Sequence, residues 1–388
     1  MTSRYPYGPG EAFLGPEIGA HIDSGWDVAV FPAIRRGSLV HSDAGAIAAR
    51  ATTPSAFAVA WDFVRFVVGA RAARRAWLSL VLSRQPARNR IKNVVVLWRL
   101  GALIRLVRTH RARHIHAHWG GTSSTLALAA SRATAVPWSL TLHRWDIYAN
   151  NLLETKIQSA SFTRVISDRA VIDVQSIVPH AEPVVLHMGV HVPREAVAPD
   201  TPSDRCRFVC VASLIAVKDH VTLLHAFAEM DDRSTLELVG GGPLERELRA
   251  LAVELGLAER VIFAGPMDHD HLLARLRGGA WDAIVLASSS AGSEHEGIPV
   301  SLMEGMAAGL PPVATDSGAT RELITDGAGL LVPPGDRQAL AEALSRLSAS
   351  AELRAHVAAG ARARVAEAFD AERIAASLRT MIAGASPA

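Results

Sequence analysis

Two glutamates, Glu296 and Glu304, bracket a segment whose residue types could bind a phosphorylated sugar. Pro299 stands where the first turn of a helix would begin, a position that tolerates proline. The N-terminus of such a helix exposes unpaired backbone N–H groups and a partial positive charge, and both favour phosphate. Gly297 would let the backbone approach a ligand closely. The segment therefore predicts a site for a phosphate-bearing ligand.

The two carboxylates suit hydroxyl groups better than phosphate. Like charges repel, so Glu304 would not hold a phosphate, whereas a carboxylate accepts hydrogen bonds from the hydroxyls of a ribose. Glu296, at the tip of the loop, suits the hydroxyls of a sugar. The plain alternative is a pair of surface glutamates at a helix start, where glutamate is common.

Two further features of the second half could contact such a ligand. Lys218 follows a predicted strand, and its point charge could neutralise a leaving diphosphate, although it could also be a solvated surface lysine. Gly241 belongs to a Gly-Gly-Gly-Pro run that ends a strand and opens a helix, where glycine permits close backbone approach. That run lacks the GxGxxG spacing, so it does not predict a dinucleotide site.

The first half contributes histidines at predicted strand ends. His143 ends the strand over 138–143, and the carboxyl edge of a parallel sheet is where ligands bind. His114, His116 and His118 alternate along another strand. No carboxylate or cysteine accompanies them, so they predict partly packed polar side chains rather than a metal site. His118, nearest the strand end, is expected to reach the same edge as His143.

Short β-rich runs alternate with helical periodicity along the chain, which predicts α/β architecture with parallel sheets. The Pro-rich, charged stretch 193–204 is the best candidate linker. Two doubly wound domains facing a cleft follow, over 1–196 and 205–365, with a C-terminal helix over 366–388 that packs back toward the first domain. The predicted strands are 27–32, 114–119, 138–143, 164–168 and 184–190, then 207–213, 236–240, 261–265, 283–288 and 311–316.

The run Glu-Gly-Ile-Pro-Val-Ser-Leu-Met-Glu over 296–304 resembles the E-x7-E motif of retaining glycosyltransferases with the GT-B fold, family four in particular. The resemblance extends through 10–18, 141–147, 212–220 and 239–249. It implies two Rossmann-like domains and transfer of a sugar from a UDP-, GDP- or ADP-sugar to a saccharide or lipid-linked acceptor, with retained anomeric configuration. It implies no cofactor and no metal.

The resemblance also implies roles for individual residues. Glu296 would contact the donor sugar, Glu304 would take the ribose hydroxyls, and His143 would contact the sugar. The resemblance places five further positions on the donor side, where backbone lines the sugar and phosphates or a loop seats the base: Gly241, Gly297, Ile298, Pro299 and Met267. It places four on the acceptor side: Gly8, Gly10, Glu11 and His118.

Two positions depart from the family pattern. Ser213 stands where many relatives have an arginine, so Lys218 lacks its usual partner, and Arg144 replaces a glycine. These departures leave open a catalytically inactive protein that binds donor and supports another transferase. A GT-B sugar-nucleotide epimerase is a further alternative.

Charge is unevenly distributed, although the net charge is only +2. No Asp or Glu occurs between Asp62 and Asp146, while the region 65–113 interleaves arginines and a lysine with apolar residues. That pattern favours an anionic membrane surface, with solvated helices as the alternative, and no motif points to nucleic acid.

The N-terminus shows no apolar region of a signal peptide, and no uncharged apolar stretch is long enough to span a bilayer. Only two cysteines occur, Cys206 and Cys210, which predicts reduced, buried thiols rather than a disulfide framework. We expect a cytoplasmic protein, with peripheral attachment to the inner face of the plasma membrane as an extension of that expectation.

Overall fold

The computed structural model describes residues 1–7, 9–34, 44–193, 206–230, 234–290, 296–325 and 327–385. The chain forms two compact units. The first comprises Met1–Met188 with Glu372–Ala388, and the second comprises Gly189–Ala371. The predicted linker 193–204 lies, apart from its first residue, outside the described residues.

The first unit is built on a four-stranded parallel sheet in the order β1-β2-β3-β4. Its strands are β1 (Ile115–His118), β2 (Trp138–Leu142), β3 (Thr163–Val165) and β4 (Val184–Val185). Every residue of β2 is buried, as expected for a strand covered on both faces. These four strands confirm the predictions made for 114–119, 138–143, 164–168 and 184–190.

The prediction of a strand over 27–32 is wrong. This segment makes only isolated bridges, from Val30 to Ala51 and from Pro32 to Thr2. Its backbone exchanges hydrogen bonds with two different short segments, one near Thr2 and one near Arg50. No single partner strand runs beside it in the described residues, and Pro32 has no N–H to extend a ladder. The apolar run is therefore partly buried without forming a strand.

Helices precede these strands in the chain and alternate with them. They are α1 (Gly15–Asp23), α2 (Ala44–Ala49), α3 (Ala56–Asp62), α4 (Arg71–Val81), α5 (Ala87–Leu97), α6 (Leu100–Thr109), α7 (Thr122–Thr134), α8 (Trp145–Tyr148), α9 (Leu153–Ser159) and α10 (Asp168–Ile177), with a 3-10 helix over Pro9–Leu14 and a π-helix over Phe63–Val68. The apolar face of α7 packs against α4, α5 and α6 and closes the core of this unit.

The second unit contains a six-stranded parallel sheet in the order β10-β9-β8-β5-β6-β7. Its strands are β5 (Arg207–Val211), β6 (Thr235–Val239), β7 (Val261–Gly265), β8 (Ala283–Leu286), β9 (Pro312–Thr315) and β10 (Leu330–Val332). The chain moves outward from β5 through β6 and β7, then returns to β8 on the other side. The sheet is doubly wound, with its switch point between β5 and β8. The sequence predicted five of these strands and missed the three-residue β10.

The helices of the second unit have side-chain caps where the sequence offers them. They are α11 (His220–Ala228), α12 (Glu245–Glu254), α13 (His269–Arg277), α14 (Val300–Ala307), α15 (Thr320–Leu323), α16 (Arg337–Ala349) and α17 (Ala351–Ala368), with a 3-10 turn over Ala216–Lys218. Asp219 caps α11, Asp268 caps α13 and Asp336 caps α16, each accepting from a backbone N–H of the first turn.

The last helix, α18 (Ala371–Ala385), belongs to the first unit for nearly all its length. The Arg379 guanidinium donates to the carbonyl of Ala20 at 3.1 Å, at the C-terminal end of α1. Among the described residues, no helix combines the length and the apolar character required to cross a membrane.

Candidate active site

The switch point of the second unit brings together two charged side chains that are far apart in the sequence. β5 and β8 are neighbouring parallel strands, so the segments that leave them start at one edge of the sheet. Lys218 lies on the first segment and Glu296 on the second, and the Lys218 ammonium donates to Glu296 Oε1. The Ser288 hydroxyl donates to the same oxygen at 2.7 Å. Glu296 is buried, so this carboxylate has a fixed position.

The residues after Glu296 combine open space with a helix N-terminus. A Cβ built on Gly297 would meet no atom within 4 Å, so there is room beside its backbone. Ile298 and Pro299 are buried, and Pro299 is the N-cap residue of α14. Pro299 supplies no side-chain cap, which leaves the first amides of α14 without a capping acceptor. One continuous edge of the sheet therefore carries residues 296–299. We call these four residues, together with Lys218 and Ser288, the Glu296 site.

Glu304 lies in the second turn of α14, and its carboxylate has a partner that the sequence reasoning did not identify. His269, the first residue of α13, approaches Glu304 Oε1 with its Nε2 at 2.7 Å. This hydrogen bond raises the pKa of His269 above its ordinary value, although burial acts in the opposite direction. Met267 lies just before α13, half-buried against the core of the second unit.

The glycine run after β6 is required by close packing of the backbone. A Cβ on Gly240, whose φ is +147°, would lie 2.0 Å from the carbonyl oxygen of Ala212. A Cβ on Gly242 would lie 2.3 Å from the carbonyl oxygen of Leu214. Glycine at these two positions lets the loops that leave β5 and β6 touch. Gly241 faces Pro266, with a Cβ distance of 3.0 Å to Pro266 Cγ.

In the first unit, the histidines predicted at strand ends meet. β1 and β2 are parallel neighbours, His118 ends β1 and His143 follows β2. His118 Nδ1 lies 3.4 Å from His143 Nε2. His118 Nε2 lies 3.4 Å from Glu17 Oε1, and Glu17 Oε2 accepts from Arg164 Nη1 at 2.7 Å. We call these four residues, with His116, the histidine cluster.

Burial controls the protonation of the histidine cluster. It lowers the pKa of His143 well below the ordinary value, and the nearby charges of His118 and Arg164 lower it further. Burial would raise the pKa of Glu17, but Arg164 and the bond from His118 hold it well below its usual range. His143 is therefore a neutral imidazole near pH 7, able to exchange hydrogen bonds with a hydroxyl without carrying charge.

The orientation of His143 is fixed from several sides. Its backbone N–H donates to the buried carboxylate of Asp146, which also accepts from the N–H groups of Gly120 and Arg144 at 2.6 and 2.8 Å. Its ring packs on Trp119, with 4.3 Å between ring centroids. Arg144, the unusual residue of this turn, stacks its guanidinium over the Trp145 ring at 4.2 Å.

The Glu11 side chain stabilises a turn of the first unit. Its buried carboxylate accepts from the backbone N–H groups of Arg4 and Tyr5, both at 2.7 Å, and from that of Ser3 at 3.3 Å. It thereby holds the turn before the 3-10 helix, whose backbone includes Gly10. Gly8 lies outside the described residues.

The sequence reasoning missed four side chains that the structure places in these sites: Glu17, Arg164, His269 and Ser288. One of them had a usable signal, because Arg164 is a charged residue in a strand of a parallel sheet, where both faces are covered and a charge requires a buried partner. Both cysteines are buried and neither forms a disulfide, and burial raises the pKa of Cys210 to about 12, as expected of inert thiols. Within the described ranges, no group of three or more His, Cys, Asp or Glu side chains could hold a metal ion.

Residues 193–364 match the sequence model of the family "Glycosyl transferases group 1". The matched segment covers nearly all of the second unit and includes Lys218, Glu296 and Glu304, so it contains the Glu296 site.

Curated relatives match part of the chain. The chain is 34% identical over 179 residues to the putative colanic acid biosynthesis glycosyltransferase WcaL of Escherichia coli, covering 44% of this chain and 43% of that protein. It is 33% identical over 150 residues to the GDP-mannose-dependent alpha-(1-6)-phosphatidylinositol monomannoside mannosyltransferase of Mycolicibacterium smegmatis, covering 38% and 39%. These matches span less than half the length of either relative.

Solved structures resemble the whole chain. HepE from Anabaena, in complex with UDP and glucose, aligns with a TM-score of 0.68 and 18% identity over 99% of this chain and 98% of that one. The sucrose-phosphate synthase of Thermosynechococcus elongatus aligns with a TM-score of 0.70 and 20% identity, over 97% and 93%. At this identity the likeness shows the fold, which is GT-B with two parallel-sheet α/β domains.

Proposed function

We propose that this protein is a retaining glycosyltransferase that moves a sugar from a nucleotide-diphosphate donor to a saccharide or lipid-linked acceptor. The observation that carries the proposal is the Glu296 carboxylate, fixed by Lys218 and Ser288 beside the open backbone of Gly297. Recognition of sugar hydroxyls requires a hydrogen-bond acceptor that is fixed in position next to open space.

The same edge suits the diphosphate of the donor. The first amides of α14 and the Lys218 ammonium supply positive charge without a metal. A diphosphate bound there would compete with Glu296 for Lys218, which would then stabilise the negative charge of the leaving group. The carboxylate of Glu304 bonds His269 through one oxygen and has capacity for ribose hydroxyls, since an ionised carboxylate accepts about four hydrogen bonds.

The transfer step needs no carboxylate nucleophile. The bond between the anomeric carbon and the phosphate oxygen breaks, and the acceptor hydroxyl forms a new bond on the same face of the sugar. The hydroxyl proton passes to the leaving phosphate oxygen, so charge and atoms balance. This separates the proposed reaction from glycoside hydrolysis, which uses a pair of carboxyl groups.

The names of the relatives support a role in envelope or polysaccharide glycan synthesis. One similar protein is named for colanic acid biosynthesis and another for mannosylation of a phosphatidylinositol mannoside. A cytoplasmic enzyme that acts on a saccharide or lipid-linked acceptor agrees with those names.

A thermal-shift screen across UDP-, GDP- and ADP-sugars tests the donor class, since a ligand of the native state raises the melting temperature. With the stabilising donor, product NMR should show a retained anomeric configuration, and EDTA should leave turnover unchanged. Glu296→Ala should lower turnover roughly 10²–10³-fold, in line with losing one preorganised polar contact. Undiminished turnover in this variant would contradict the assignment of Glu296.

A catalytically inactive donor-binding protein is the second candidate. It is favoured by Ser213, which is exposed where relatives have a cation, and by Arg144, whose guanidinium stacks on Trp145. Stabilisation by a donor without transfer to any acceptor would favour this candidate. Isomerisation of donor alone would instead indicate an epimerase.

A further inference from the structure

The first unit exposes apolar side chains on four successive helical segments: α3, the π-helix, α4 and α5. Nine of the eighteen large hydrophobic side chains that are exposed in the described part of the chain lie within 57–98. They form what we call the α3–α5 face: Phe57, Trp61, Val64, Val68, Leu78, Leu82, Ile91, Val95 and Trp98. Single exposed apolar residues are common on protein surfaces, but a concentration of this kind marks an interaction surface.

Each segment carries its exposed apolar residues at helical spacing. Phe57, Trp61, Val64 and Val68 follow one another at intervals of four, three and four residues, which is one face of a helix. Ile91, Val95 and Trp98 repeat the pattern on α5 and its C-cap. Phe57 is 81% exposed and Ile91 is 66% exposed.

These stripes are additional to the ones that build the core. On α4 the buried side chains are Ala73, Ala76 and Leu80, while Leu78 and Leu82 point to solvent. Packing against α7 and the π-helix accounts for the first set only. The second set stays exposed, Leu78 at 40% and Leu82 at 75%, although a second apolar stripe on one helix is costly to keep in water.

The four segments adjoin one another. α3 packs against the π-helix, the π-helix packs against α4, and α4 packs against α5. Phe63 joins them, because its ring lies 5.8 Å from the Trp77 ring of α4 and 4.2 Å from the Trp98 ring, measured between centroids. The exposed stripes therefore belong to one region of the surface.

The charge of this region has one sign at its exposed positions. No Asp or Glu lies between Asp62 and Asp146, and Asp62 itself is buried in an ion pair with Arg105. Exposed cations stand among the apolar side chains: Arg65, Arg71, Arg74, Arg75, Arg84, Arg88, Arg90 and Lys92. Apolar and aromatic side chains with cations between them match the interface of an anionic bilayer, where rings enter the headgroup layer and cations bind phosphate.

We infer that the α3–α5 face docks on an anionic phospholipid bilayer, with Phe57, Trp61, Ile91 and Val95 entering the interface and the surrounding arginines binding headgroups. The inference does not depend on the proposed transferase activity. It adds a defined surface, with named insertion residues, to the charge pattern seen in the sequence.

Co-sedimentation of the full chain with vesicles tests this inference. Vesicles of phosphatidylglycerol and phosphatidylethanolamine should pellet the protein at low salt, and phosphatidylcholine vesicles should not. Binding should weaken as salt rises, because the electrostatic part is screened. The pair of changes Arg84→Glu and Arg88→Glu should weaken binding at least about 25-fold, since each cation near such a surface contributes about fivefold.

Two further pairs separate insertion from charge. Phe57→Ser with Trp61→Ser, and Ile91→Ser with Val95→Ser, should each weaken binding at least about tenfold without changing net charge. The matched control is Ile172→Ser with Val253→Ser, at side chains that are 61% and 67% exposed elsewhere on the chain. The control should bind as the unaltered protein does, and circular dichroism should show that all variants are folded.

Three results would overturn the inference. The first is no pelleting of the unaltered protein with anionic vesicles at low salt, and the second is equal pelleting of the face variants and the control. The third is a dimer in sedimentation velocity that the face variants dissociate while vesicle binding is absent, which would assign the face to a second copy of the chain.

Discussion

The two units hold their sheet-edge side chains in different ways. In the first unit the edge depends on buried charge, with Glu17 and Arg164 paired beneath His118. In the second unit it depends on close backbone approach, with Gly240 and Gly242 touching the loop that leaves β5. The same rule of parallel sheets brings residues together in both units, but the supporting interactions differ.

The difference extends to protonation. Burial among imidazoles and an arginine lowers the pKa of His143, whereas a carboxylate at hydrogen-bonding distance raises the pKa of His269. His143, which follows a strand, is therefore neutral, whereas His269, which begins a helix, favours its charged form. The comparison of His143 with His269 shows that the surroundings of a histidine, rather than the residue type, set the charge of its ring.

The largest effect is expected from breaking the buried ion pair. Glu17→Gln leaves the fully buried Arg164 without its counter-charge, and we expect a loss of about 3–5 kcal/mol in the free energy of unfolding. Denaturant unfolding at pH 7 measures this loss. The control is Glu182→Gln, at an exposed glutamate of the same unit, which should change stability by less than about 0.5 kcal/mol. A Glu17 variant as stable as this control would contradict the role of buried charge.

The glycine turn of the second unit should show the next largest effect. Gly242→Ala places a Cβ against Leu214 and should cost about 1–3 kcal/mol, because backbone has to move. Gly297→Ala enters open space and should leave stability nearly unchanged, while weakening donor binding if the donor occupies that space. Equal melting temperatures for the two variants would show that close backbone approach does not support this edge.

The histidine cluster should lose stability in acid. The folded-state pKa of His143 is lowered below the ordinary histidine value of about 6.5. As pH falls below about 6.5, the unfolded chain therefore takes up a proton at this side chain while the folded chain does not. Stability should fall as pH drops below about 6.5, by up to roughly 1.4 kcal/mol per pH unit from this side chain. His143→Asn should flatten the pH profile of the unfolding free energy between about pH 6.5 and 5. An unchanged slope would mean that His143 is charged in the folded protein.

The opposite pH dependence is expected for His269. Its folded-state pKa is raised, so its bond to Glu304 contributes fully below about pH 6.5 and is lost as pH rises through the raised value. The stability difference between the unaltered protein and His269→Asn should be about 1 kcal/mol at pH 6 and should shrink toward pH 9. Thermal melting across this range measures it, and a difference that grows with pH would reverse the assignment.

Much of the fold followed from patterns in the sequence. Buried strands such as β8 are short apolar runs, and β2 alternates apolar with hydroxyl residues; short β-rich runs of these kinds predicted nine of the ten strands. The segment 27–32 is also an apolar run but makes only isolated bridges, because pairing depends on which backbone lies beside it. The segment Leu330–Val332 was missed because three residues carry too little periodicity.

The candidate site residues also divide into some that the sequence predicted and some that it did not. Glu296, Lys218, Glu304 and His143 were predicted from residue type and from their place after strands. Their partners were not, because Glu17, Arg164, Ser288 and His269 reach them only through the order of strands in the sheets. Sequence spacing does not encode which loops share an edge when the crossover returns to the other side of β5.

The sequence by itself determined that the chain forms α/β domains, that a carboxylate stands beside a helix N-terminus, and that the region 65–113 is basic. Each follows from periodicity or composition, which are local properties. The tertiary structure decided that Lys218 pairs with Glu296, that His143 is neutral while His269 favours its charged form, and that nine apolar side chains between 57 and 98 face solvent. Burial and charge pairing depend on distances across the fold, and only packing fixes those distances.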